Sequence, residues 1–147
     1  MAAGCIHRAL DATRLRAWAE AADARFLVGT HSGLPWIKNL GDGQAALNCG
    51  VAGRPDHDGD AAVHYLLMRP APSGEVHFEF RRVAYDAEAW CKQLLAEGVD
   101  PIFVAPLRSG WWTVGKDSLP DWERNQRHTG AIVKNMTIAP LPPKENP

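Results

Sequence analysis

The sequence predicts a single α/β (α+β) domain with mixed and antiparallel strands and flanking helices, and three observations carry that expectation. Residues 9 to 24 place Leu15, Trp18, Ala19 and Ala22 at helical spacing, and the short apolar run RFLVG follows at once. Residues 75 to 83, EVHFEFRRV, alternate Val76, Phe78 and Phe80 with His77, Glu79 and Arg81, the period of a half-buried strand. Residues 86 to 97 then return to helical spacing, with Trp90, Cys91, Leu94 and Leu95 on one face.

In chain order, Asp11 or Thr13 caps the first helix, and residues 25 to 29 form a buried strand ending at glycine. That strand delivers the loop GTHSGLPW, Gly29 to Trp36. WIKNL (36 to 40) and QAALN (44 to 48) flank GDG, a strong turn signal, and read as a hairpin. CGVAGRPDHDGD (49 to 60) is rich in glycine and predicts a long irregular loop before strand character resumes over 62 to 68. PAPSG (70 to 74) turns that strand into the next, and Asp86 and Gly98 bracket the second helix. From 99 to 130, prolines, glycines and the Trp111, Trp112 pair show no sustained period, which predicts loops and short turns packed by aromatics. Residues 1 to 138 therefore read as one domain, and the segment 139 to 147, APLPPKENP, as a disordered or extended proline-rich tail.

Composition narrows the function classes. The 147 residues hold 46% hydrophobic and 22% charged side chains, enough for one core. Sixteen basic against 17 acidic residues leave a formal net charge of -1, so no basic field exists to hold a nucleic-acid backbone. Cys5, Cys49 and Cys91 form no CxxC pair, which argues against a zinc knuckle or a disulfide framework and fits a reducing cytoplasm. No apolar run has the length of a signal-peptide core or a membrane span, so a cytoplasmic protein without a membrane partner is expected.

Several side chains invite chemical roles, each beside a plainer one. His31 sits in a glycine-flanked loop after a strand, as a metal ligand or as a solvent-facing loop histidine. His57 with Asp56, Asp58 and Asp60 has ligand-type chemistry, yet no glutamate follows at EF-hand spacing, and aspartate and glycine are ordinary turn formers. The strand alternation sets His64 and His77 opposite the core, as surface residues. Cys49 has no base identifiable nearby, and Trp111 and Trp112 read as aromatics covering a core rather than a stacking platform.

THSGLPW, then ALNCGVAGRPDHDGDAAVHYLLM, then VHFEFRRVAYDAEAW together resemble the C-terminal half of calcineurin-like metallophosphoesterases, most strongly over residues 25 to 97. That family runs a GHxH metal loop with a following proline and aromatic into a strand. A loop of the form N-P-G-S-x-G-x-P and two strands come next, the second ending in a V-x-Y-D-like segment. Asn48 to Pro55 matches the second loop and Val83-Ala84-Tyr85-Asp86 the last segment.

The resemblance implies part of an αββα sandwich and phosphoester hydrolysis at a pair of divalent metals (Mn, Fe, Ni or Zn) that acidify a bound water. Aligned on Pro35 and Trp36, His31 takes the place of the first histidine of GHxH, and Gly33 falls where the second belongs. The D-x-H and G-N-H-D patterns that supply the family's other ligands do not occur in this chain, and Gly41-Asp42 follows the His31 loop instead of preceding it. The resemblance thus implies a metal role for His31 and no catalytic residue here. The isolated chain is expected to be inactive and to bind no metal pair alone; phosphoester is its substrate only when the site is complete. It is also expected to need a missing N-terminal half or to self-associate through exposed strand edges, the alternative being a non-catalytic remnant or interaction domain of the same fold.

Overall fold

A computed structural model describes residues 10–30, 33–118 and 135–142. Helix α1 (Ala12–Ala21) leads into strands β1 (Phe26–Gly29), β2 (Trp36–Gly41) and β3 (Gln44–Asn48). After the 49 to 62 loop come β4 (Val63–Pro70), β5 (Val76–Val83), helices α2 (Ala87–Ala96) and α3 (Pro101–Ser109), and β6 (Asn135–Ile138). The α/β class expected from the sequence is what the chain adopts, as two small sheets with flanking helices.

Sheet one has the order β1-β3-β2, with β1 parallel and β2 antiparallel to the central β3. Sheet two is antiparallel throughout, in the order β4-β5-β6. The period of two explains how β3 joins three layers. Ala45 and Leu47, with Ile37 of β2, face Val76, Phe78, Phe80 and Ile138 of the second sheet. Ala46, with Trp36 and Leu40 of β2, faces Leu15 of α1. Small residues on β3 let helix and sheet approach closely on both sides, and Phe26 sets its ring edge-on to Phe78 across the inner core at 5.1 Å.

Local signals set most boundaries. The Asp11 side chain accepts the Thr13 N–H and the Asp86 side chain the Ala89 N–H, so both expected caps are in place. The expectation of loops over 99 to 130 is corrected by helix α3, while residues 119 to 130 lie outside the described residues; β6 is a further strand beyond that stretch. Asp100 caps α3 and accepts the Ile102 N–H, Pro101 occupies the first turn, and Gly110 ends the helix at φ 72°. Pro106 inside the helix hid this signal. Strand β6 is four residues long, too short to show a period, and exists because β5 offers it a ladder from Val76 to Glu79.

The α2–α3 hairpin closes around Cys91, Val104 and Leu107. Trp90 and Leu95, expected on the same buried face, are 43% and 38% exposed, because α3 covers only the Cys91 side of α2. At its end Gly110 is seated against the 49 to 62 loop, where an added Cβ would lie 2.5 Å from the Gly59 carbonyl carbon and the Asp60 nitrogen. Of the expected tail, residues 139 to 142 carry no regular structure, and the Ala139 carbonyl accepts from Arg25; residues 143 to 147 lie outside the described residues. No helix among the described residues is long and apolar enough to cross a membrane.

Candidate functional site

Parallel pairing sends β1 and β3 toward the same end of sheet one, with Gly29 in register with Asn48. The Cys49 N–H donates to the Gly29 carbonyl at 2.9 Å, carrying the ladder one residue into the loops. Two loops therefore leave side by side from the carboxyl ends of parallel strands, the position where open α/β sheets present ligand-binding residues. In the first loop the Gly33 N–H donates to the Thr30 carbonyl at 2.9 Å. In the second, the buried Asn48 side chain accepts the Gly50 N–H at 2.9 Å and sets the turn.

The loops touch. A Cβ built on Gly50 would stand 3.7 Å from the Gly33 carbonyl oxygen and 3.6 Å from Pro35. Gly33 has a φ of 71°, and a Cβ there would come within 2.9 Å of Trp112 Cη2 and 3.5 Å of Val51. Glycine at 33 thus has a packing cause: the ring of Trp112, 2% exposed and clustered with Leu34, occupies the space a side chain would need.

Trp112 is held from three sides. Its indole Nε1–H donates to the Pro55 carbonyl at 2.6 Å, its backbone N–H donates to His57 Nδ1 at 2.8 Å, and the Arg54 guanidinium lies 3.8 Å over its ring. Accepting at Nδ1 makes His57 a neutral imidazole with its proton on Nε2. His57 is buried, with the Trp111 ring edge-on at 5.2 Å. The aromatic pair covers a core, as the sequence suggested.

His64 departs from its expected surface role. Its Nδ1 lies 2.7 Å from Asp56 Oδ2, and the two side chains are 13% and 1% exposed. Both atoms are buried and face each other. The loop folds Asp56 beneath β4, a return that alternation along β4 alone does not encode. Burial pushes the Asp56 carboxyl above its usual range, with the His64 imidazole opposing, and the carboxylate in turn raises His64. Asp60 sits lower than usual because Arg82 grips both its oxygens, at 2.7 and 2.9 Å. Asp58 and Asp60 also accept the N–H groups of Asp60 and Ala62, the turn-forming use expected of DHDGD.

His31 and Ser32 lie outside the described residues; Gly33, which follows them, lies against Gly50 and Val51. Among the described residues no three His, Cys, Asp or Glu side chains gather where one metal ion could bind. Asp56 and His64 are committed to each other, Asp60 to Arg82, and Asn48 to its turn. The described donor set does not fit a metal pair. His77, half-buried on β5, contacts Thr137 Oγ1 at 3.1 Å, and Cys49 Sγ lies 3.5 Å from the Gly29 carbonyl.

No protein-family model matches the chain, and no curated protein matches it. A crystal structure of a metallophosphoesterase from Sphaerobacter thermophilus is similar with a TM-score of 0.45 and 18% identity. The similarity covers 66% of this chain and 47% of that one, so the match spans about half the length of that protein.

Proposed function

We propose that this chain is one half of a metallophosphoesterase-like site: a scaffold that presents the His31 loop to ligands supplied from outside it. The observation that carries the reading is the Gly29–Asn48 register at the carboxyl ends of two parallel strands, beyond which Gly33 and Gly50 meet. Two of the three motifs that resemble the phosphoesterase family fall on the two loops that contain Gly33 and Gly50, and His31 is the ligand-type side chain of the first. A complete site would hold divalent metals and hydrolyse a phosphoester; no step through a metal is assigned to this chain, because its described donors do not fit one. The missing ligands come from the N-terminal half of the fold, because a second copy of this chain lacks the same D-x-H and G-N-H-D patterns.

A second reading, a non-catalytic remnant that keeps the sheets and loops for interaction, is favoured by Gly33. Trp112 fills the space where the second loop ligand would project, so packing has replaced coordination there.

Manganese titration followed by proton NMR separates the readings. The half-site reading expects Mn(II) to broaden the His31 imidazole signals ahead of those of the other five of the chain's six histidines, and His31→Ala to remove that selectivity. Uniform or absent broadening overturns it in favour of the remnant. Manganese-dependent hydrolysis of an aryl phosphate by the isolated chain, lost in His31→Ala, would overturn the half-site in the other direction and make the chain a complete enzyme.

A further inference from the structure

A cavity of about 390 Å³ lies between the α2–α3 hairpin and the 49 to 62 loop. Leu94, Val99, Phe103, Leu107 and Val114 make its walls apolar, and Arg54 stands at its side. We propose that this cavity binds a small apolar carboxylate, with the Arg54 guanidinium taking the carboxylate and the hairpin taking the hydrocarbon.

Arg54 carries an uncompensated charge among the described residues. Arg54 donates to the Val114 carbonyl and stacks on Trp112, but no carboxylate pairs with it among the described residues. A guanidinium has five N–H donors, and partial burial makes an unpaired cation costly. Desolvation lowers the Arg54 pKa, the mark of a cation short of a partner. Stacking and the carbonyl bond hold the planar fork still, so an incoming carboxylate meets a prepared, bidentate-capable donor.

The backbone keeps the approach open. Gly115 sits at φ 74°, and a Cβ there would stand 2.9 Å from Arg54 Nη1, so any side chain would crowd the guanidinium. Size and lining then choose the ligand. The volume is near the small end of the roughly 300–1,000 Å³ of ligand sites, room for about one ring with a short arm. With one cation and apolar walls, the cavity lacks the donors that a phosphate dianion or a nucleotide requires. Arg54 lies in the Asn48 to Pro55 loop, but carboxylate binding here requires neither His31 nor a metal, so it stands apart from the half-site reading.

The test is calorimetric titration of the full chain with 3-phenylpropanoate and with its neutral amide, together with methyl NMR of Leu94 and Leu107. The carboxylate is expected to bind about tenfold or more tightly than the amide, the size of a charge-assisted hydrogen bond. Both ligands should shift the Leu94 and Leu107 methyls. Arg54→Gln is expected to erase the difference while leaving amide binding in place. Equal affinities of the two ligands for the unaltered chain, shifts confined to other residues, or no binding of the carboxylate would each overturn the proposal without reliance on the variant.

Discussion

The Asp56 carboxylate lies 2.7 Å from the His64 imidazole beneath β4, a buried pair formed by a loop folding back on the strand it precedes. Both groups hold their protons more tightly than usual, His64 through the carboxylate and Asp56 through burial. The linkage has one sign for both. The His64 contribution is fully present below its ordinary value of 6.5 and is lost as pH rises through its higher folded value. The Asp56 contribution, present below 3.8, also fades as pH rises through its raised value. The urea midpoint is therefore expected to fall as pH rises from slightly acid through neutral to mildly alkaline, and Asp56→Asn to flatten that fall. A midpoint that is level or rising over that range contradicts the pairing.

Placing a histidine at position 33 is expected to fail. Gly33→His must adopt φ 71° and meet Trp112 Cη2 at 2.9 Å, so a loss of about 1–3 kcal/mol of stability is expected, with no gain in manganese affinity. Thermal melting and manganese titration of the variant check both parts. Tight metal binding at unchanged stability would show that Trp112 yields easily.

Trp112 ties the α3 end to the loops of the site. Trp112→Ala is expected to cost about 3–5 kcal/mol, as a large buried aromatic does. Trp112→Phe keeps most of the apolar contact but leaves the Pro55 carbonyl without its indole donor, for roughly 1–3 kcal/mol. Denaturant melts of the two variants should rank in that order, and equal losses would mean that the hydrogen bond carries the whole effect.

Among the described residues no strand pairs with the outer edge of β1. Arg25 and Gly29 direct their carbonyls toward β3, so parallel alternation turns the backbone groups of Phe26 and Val28 outward, and Val28 is 52% exposed. The chain is expected to self-associate through this edge, and Val28→Lys to shift it toward monomer in sedimentation. A wild-type chain that sediments as a monomer at all concentrations would sink this expectation.

The sequence by itself determined the elements whose signals are local. Asp11 and Asp86 announce two helix starts, Gly98 ends the second of those helices, and GDG and PAPSG turn the hairpins. Alternation along β5 separated Phe78 and Phe80 from His77 and Glu79 because sheet two buries one face. Helix α3 escaped because Pro106 broke its pattern, and β6 because a four-residue strand is stabilised by its partner more than by its own residues.

What only the tertiary structure decided is which distant groups meet. The sequence offered His57 with Asp56, Asp58 and Asp60 as one cluster of ligand-type residues, and set His64 on the surface. The fold divides them, giving Asp56 to His64, Asp60 to Arg82 and His57 to the Trp112 backbone. Gly33 read as a lost ligand, and the packing of Trp112 supplies the reason it is glycine. Caps, turns and periods act over a few residues and are legible one window at a time. Ion pairs, cavities and close ring contacts depend on chain closure over tens of residues, and the register of the sheets determines which side chains share a space.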